Sequence, residues 1–199
     1  MTIIIIIITS LVSILAFSQP DVMGRLQFNA YQVVHRKEFF RIFTHAFLHA
    51  NWEHLLINMI VLWSFGSAVE HYYYLNFGSR GIWLFLLLYF GAILFSSLGG
   101  LIKQKNNYYY NAVGASGAVS AVVFSAIFFD PWNKIYFFGL LPIPGVVFAV
   151  LYLVYSYQMS RKNVDNVGHD AHFLGAVFGF ILPILIRPSL FVEFINKLF

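Results

Sequence analysis

Four polar residues in a chain that is 60% apolar have the means to do chemistry: Ser116, His172, His54 and Asn58. Serine is a weak nucleophile until a base removes its proton during attack. Histidine titrates near neutrality, so it can take that proton and return it to a leaving amine. The negative oxygen of the resulting tetrahedral intermediate needs preorganised donors, and the side chains of Asn58 and His54 plus the Ser116 backbone amide are available. His54 and Asn58 are four residues apart and so share one helix face. Asp170 is two residues from His172 and falls on a different helical face, so the pattern reads as a Ser-His dyad without a third member. The chemistry implied is acyl transfer, and hydrolysis of a peptide bond is its simplest form.

The elements that must position these residues are membrane helices. Of 199 residues, 60% are apolar and 10% are Asp, Glu, Lys or Arg, against about 25% charged in a soluble domain. Mean hydropathy is +0.75. There are no cysteines, which excludes disulfide scaffolds, thiolate metal sites and cysteine nucleophiles. The net charge of +4 is spread without a basic run, so nucleic acid is not expected as a partner. Charge-free stretches recur from the N-terminal isoleucine run to the segment ending before Arg187. A helix crossing the hydrocarbon core needs roughly 20 residues. The spacing predicts six transmembrane helices, about 2–19, 53–70, 81–102, 114–129, 145–160 and 171–186, in a single domain over 1–199. Alternating segments of ~10 residues, the mark of a membrane β-barrel, are absent. The first helix, with Ala16-Phe17-Ser18 after its isoleucines, has a signal-peptide look. It lacks a preceding Lys or Arg and is long enough to span, so it reads as a span. Asp130-Pro131 should stop the fourth helix, and Pro142 and Pro144 should delay the fifth to about Gly145.

Helices two, four and six run in one direction, with Glu70, Asp130 and Arg187 marking a common face. At 1.5 Å per residue, Ser116, His172, His54 and Asn58 lie roughly 21, 22, 24 and 18 Å from that face. They share one level, about 10 Å below the opposite surface of a ~30 Å core. Small residues flank the pair: Gly114, Gly117, Ala118 and Ala121 around the serine, Ala171, Gly175, Ala176 and Gly179 around the histidine. Such stripes let membrane helices approach backbone to backbone. Water must reach the site, and the connections Asp21–Glu53, Lys103–Val113 and Arg161–Asp170 surround the opening, the third as a candidate cap. The first of these is long enough to be functional.

At Gly114-Ala115-Ser116-Gly117, His54-x-x-x-Asn58 and Ala171-His172-x-x-Gly175-x-x-x-Gly179 the sequence resembles the rhomboid intramembrane serine proteases, over essentially the whole chain. The resemblance implies an all-α membrane protein, a six-transmembrane-helix rhomboid-like bundle with a membrane-embedded, water-accessible active site in the compact bacterial-type form. It implies a multi-pass protein of a bacterial inner (plasma) membrane. It also implies an intramembrane serine endopeptidase that cleaves transmembrane segments with Ser116 as nucleophile and His172 as general base and acid. His54, Asn58 and the Ser116 amide would surround the oxyanion, and Gly114 would keep the approach clear. Neither metal nor cofactor is implied, and the partners are transmembrane substrates and the lipid bilayer. Three departures stand out. Phe40-Arg41 replaces the family's Trp-Arg in the first loop. Ser120 stands where many members place an aromatic that packs on the histidine, so something else must hold the His172 ring. Eight Lys/Arg (Arg25, Arg36, Lys37, Arg41, Lys103, Lys105, Arg161, Lys162) against four (Arg80, Lys134, Arg187, Lys197) fall on the outer side of the family's topology, against the positive-inside rule. Four of the eight belong to the long first loop, and the family topology, with both termini cytoplasmic, is retained.

Three other readings have less support. His45, His49, Glu53 and His54 lack the order His-Glu-x-x-His that a helical zinc protease needs, so His45 and His49 are assigned to packing the loop on the second helix. His35, His71 and His169 are assigned to the interface. A non-catalytic rhomboid-like binder or escort of membrane helices would be expected to lack the nucleophile or base, and this chain has both. A transporter would be expected to carry buried carboxylates or inverted repeats, and no Asp or Glu lies inside a predicted span.

Overall fold

Glycines, prolines and charges divide the chain into helices and short connections. A computed structural model describes residues 1–137, 139–162 and 168–199. Its long helices are α1 (Thr2–Ser18), α5 (Trp52–Phe77), α6 (Gly81–Gln104), α7 (Ser116–Phe129), α8 (Gly145–Lys162) and α9 (His169–Ile186). Between α1 and α5 lie α2 (Pro20–Leu26), α3 (Ala30–Arg36) and α4 (Arg41–Thr44), and α10 (Ser189–Leu198) closes the chain. Among the described residues, Trp52–Gln104 (containing α5 and α6) and His169–Ile186 are long and apolar enough to cross a bilayer. Thr2–Ser18 and Ser116–Phe129 are apolar but shorter.

The burial pattern is that of a protein surrounded by lipid. On α7 every residue after Ser116 is buried, and a helix apolar all round belongs at the centre of a bundle. The outer helices instead leave large apolar side chains exposed, such as Ile4 and Leu11 on α1, Ile57 and Trp63 on α5, and Trp83 on α6. Exposed apolar surface on this scale is unfavourable in water and costs nothing against hydrocarbon chains. Helix contacts are made through small residues. A Cβ on Gly175 of α9 would overlap the carbonyl oxygen of Gly117 on α7, and one on Gly179 would overlap that of Ala121. A Cβ on Gly117 would lie 2.6 Å from Ser96 Oγ of α6. Ala121, Val122, Phe128 and Leu182 fill the apolar interior below these crossings.

Several boundaries differ from the sequence reading. Helix α5 runs past Glu70 to Phe77, so Glu70 marks no helix end. Its carboxylate instead accepts from the Thr2 backbone N–H at the start of α1, where an acid is favoured by the helix dipole. Helix α7 begins at Ser116, because Gly114 holds φ +124 and cannot continue a helix. The chain is mostly helical, but the stretch between α7 and α8 contains a two-stranded antiparallel ribbon, β1 (Lys134–Phe137) and β2 (Leu141–Pro144), pairing Ile135 with Ile143. Both prolines fit there because an edge strand can forgo an N–H donor. Helix α10 also lay outside the expected set. It buries Leu190 and Phe194, Phe194 stacking on Phe128 at 5.3 Å.

The long first connection is a folded unit anchored on buried Arg41. Its guanidinium donates to Glu38 Oε2 (2.6 Å), to the carbonyls of Gly24 and Gln27 (2.9 Å each) and to Gln32 Oε1 (3.3 Å). The Phe40 ring lies 5.5 Å away. This accounts for the aromatic-Arg pair. Of the connection Arg161–Asp170, residues 163–167 lie outside the described residues, and with them the candidate cap.

Candidate active site

The site is built at the start of α7. Gly114 donates its N–H to the His45 carbonyl at 3.0 Å, and the chain then turns into the helix at Ser116. The first backbone N–H groups of a helix have no intrahelical acceptor, and the helix dipole adds partial positive charge there. The Ser116 amide is therefore a donor held in place by the helix itself.

Opposite it, α9 approaches through Gly175 and Gly179, and this close crossing carries His172 to the serine. His172 Nε2 lies 2.8 Å from Ser116 Oγ. Both residues are half-buried, with part of each side chain open to the exterior. The imidazole is flanked on two sides. The Tyr152 ring of α8 lies 6.4 Å away at an interplanar angle of 28°, and the His169 ring is edge-on at 6.0 Å and 81°. Asp170 pairs with Lys103 of α6 at 2.6 Å.

His54 stands beside the turn that precedes the serine. A Cβ on Gly114 would lie 2.7 Å from His54 Cε1, so glycine is required there for space as well as for its φ. Asn58, buried on the next turn of α5, donates from Nδ2 to the His54 carbonyl at 2.8 Å. A primary amide has two N–H donors, and the second is not used by that bond. Ser116, His172 and His54 thus converge on the Gly114–Ser116 turn, and Asn58 adjoins them through its own helix.

The other histidines have structural partners. His45 Nδ1 contacts the Arg41 carbonyl at 3.0 Å, and its ring packs on Phe28 at 5.4 Å. His49 is fully buried. The single Ser13 proton goes to the Phe47 carbonyl at 2.9 Å, so His49 Nδ1, 3.0 Å from Ser13 Oγ, is the donor of their shared bond. The His49 ring is edge-on to His54 at 4.9 Å, which makes it the support behind His54. Burial, with His54 nearby, holds His49 down to about 3. Among the described residues no group of three His, Cys, Asp or Glu could hold a metal ion.

Two residues beside the site went unrecognised from sequence. The sequence assigns His169 to the interface, yet it is buried, with its ring against those of His172 and, at 5.5 Å, Tyr155. Tyr152 had no assignment. The one signal in the sequence is Ser120, which stands where an aromatic would otherwise pack on the imidazole.

Comparison with known proteins bears on the same segment. The profile of the Rhomboid domain matches residues 36–189. The chain is similar to Rhomboid protease GluP of Bacillus subtilis (strain 168), 29% identical over 141 residues, covering 71% of this chain and 25% of that protein. It is similar to RHOMBOID-like protein 12, mitochondrial, of Arabidopsis thaliana, 27% identical over 169 residues, with 75% and 47% covered. It is also similar to Rhomboid-like protein 11, chloroplastic, of Arabidopsis thaliana, 32% identical over 159 residues, with 72% and 51% covered. The chain therefore spans about a quarter of the first relative and about half of the other two.

Proposed function

The chain belongs to the rhomboid family of integral membrane proteins, and on that premise we propose that it is an intramembrane serine endopeptidase acting through Ser116 and His172. The observation that carries the reading is the 2.8 Å separation of Ser116 Oγ and His172 Nε2. With the imidazole proton on Nδ1, Nε2 takes the serine proton as Oγ adds to the scissile carbonyl carbon. The same proton then passes to the leaving amine as the C–N bond breaks, leaving an ester on Ser116. Water repeats the sequence in the second half: His172 takes its proton, the hydroxide adds to the ester, and the proton returns to Oγ. The negative oxygen of each tetrahedral intermediate is met by the Ser116 amide, the spare N–H of Asn58 and the His54 ring. Preorganised donors of this kind are effective because they need no reorganisation as charge develops.

The reading retains six membrane crossings in one domain over 1–199, with both termini on the cytoplasmic side of a bacterial inner membrane. Helix α7 supports a submerged site. Its 14 residues are about 21 Å long, short of a ~30 Å hydrocarbon core. A serine at its first position is then below one membrane surface when the other end reaches the opposite one. The proposed substrates are transmembrane segments of other proteins. The test is cleavage of a generic transmembrane substrate by purified protein in detergent and in liposomes. Cleavage by wild type and none by Ser116→Ala is expected. Equal cleavage by both would remove Ser116 from the reaction, and binding without cleavage by wild type would favour the escort reading.

A further inference from the structure

Four residues after a helical serine is the next position on the same face, here the face of α7 that looks toward α9. Ser120 occupies it, and a serine carries no ring to lie against the imidazole. The space is filled from another helix. Tyr152 of α8 lies nearly parallel to the His172 ring, 28° between planes and 6.4 Å between centroids, within the range of an offset aromatic pair. Its tip is fixed by hydrogen bonds: Ser120 Oγ donates to the Ser116 carbonyl at 2.8 Å and lies 2.6 Å from Tyr152 Oη. A serine hydroxyl has one proton and a carbonyl can only accept, so Tyr152 is the donor to Ser120. The rest of the ring is held by Phe148, stacked at 5.6 Å and 27°, and by Phe124 at 5.5 Å.

Imidazole orientation about its terminal torsion is broad and weakly preferred, so the ring plane depends on what lies against it. We propose that Tyr152 is a positioning residue for His172, and that Ser120 holds it in place through the hydroxyl chain from Tyr152 to Ser120 to the carbonyl of Ser116. Phe124 and Ser120 on α7, Phe148 and Tyr152 on α8 and His169 and His172 on α9 make one packed unit. The aromatic plate and the residue that anchors it therefore come from different helices. A plain packing role for Tyr152 would affect stability without singling out turnover.

This inference rests on the dyad reading, so the test measures both. The full chain, purified in detergent, is assayed for kcat and KM on a transmembrane substrate, for the rate at which a fluorophosphonate labels Ser116, and for thermal stability. Tyr152→Leu should lower kcat and the labelling rate together, by up to about 100-fold, the loss expected for a base displaced by about 1 Å. KM should stay within about twofold if substrate binding is untouched. Adding Ser120→Tyr to Tyr152→Leu should recover much of the loss by supplying a ring from α7. If Tyr152→Leu fails to fold, Tyr152→Phe and Ser120→Ala still decide the matter. Each should cost roughly fivefold, about one neutral hydrogen bond, and the double variant no more than either alone. A Tyr152→Leu protein that cuts and labels at the wild-type rate overturns the inference, as do fully additive effects of Tyr152→Phe and Ser120→Ala. Wild-type protein that neither cleaves nor labels overturns the dyad reading and this inference with it.

Discussion

Ser116 sits at the first position of α7 and His172 in the first turn of α9, so each side chain leaves a helix end rather than its middle. Helix ends supply unpaired amides, and here the Ser116 amide is one of them. The other proposed oxyanion donors, Asn58 and His54, should be separable from it. Removing one such donor costs about 100–1,000-fold in turnover, roughly 3–4 kcal/mol. Asn58→Ala and His54→Ala are each expected to lower kcat on that scale with KM little changed, because the charge they meet exists only in the transition state. Full activity in the double variant would exclude both. The pairing of Ser116 with His172 was legible because a histidine inside a charge-free stretch is uncommon and lies level with Ser116 when counted along the helices. Tyr152 was not legible, since 20% of the residues are aromatic and nothing local distinguishes one tyrosine among them. The imidazole's neighbour had to come from the packing of three helices.

Between helices, the contact that carries the site is the α7–α9 crossing. Gly175 and Gly179 face the carbonyls of Gly117 and Ala121 with no room for a methyl group. Gly175→Val should therefore force the helices apart, costing about 1–3 kcal/mol, typical of overpacking, and reducing activity by more than the stability loss explains. Thermal denaturation and cleavage rates measured on the same preparation check this, and unchanged values for both would contradict the packing described. Small-residue stripes made this crossing readable from the sequence. Charge spacing was a poorer guide to helix ends: Glu70 lies inside α5 because it caps a neighbouring helix, and α10 was missed because it carries Glu193 and Lys197 on its polar side. The first connection adds a pH dependence. His49, ordinarily near 6.5, is held at about 3 by burial, so the folded form keeps it neutral while an unfolded loop would take up a proton. Its stabilising effect is complete above about pH 6.5 and is lost as pH falls toward 3. Melting temperature should drop on acidification from pH 7 to pH 4, and His49→Leu should flatten that slope. Parallel slopes in the two proteins would remove His49 as the cause.

For the whole molecule, the proposed hydrolytic site below the membrane surface would make the substrate's backbone the obstacle. Carbonyls in an intact membrane helix are hydrogen-bonded and shielded, so the cut segment must unwind locally. Proline lowers that cost by roughly 3 kcal/mol relative to alanine within a helix, and glycine by about 1. Transmembrane substrates with Gly or Pro near their outer end, and a small residue just before the cut, should be cleaved faster than versions with Leu at those positions. Equal rates across such a series would reject the unwinding requirement. The central claim, that His172 activates Ser116, has a test independent of any substrate. Purified wild type, Ser116→Ala and His172→Ala are treated with a fluorophosphonate, and the site of phosphonylation is mapped by mass spectrometry. A single adduct on Ser116 in wild type, absent from both variants while all three keep their helical content, is the predicted result. An adduct of equal extent in His172→Ala, or one on a different serine, would contradict it.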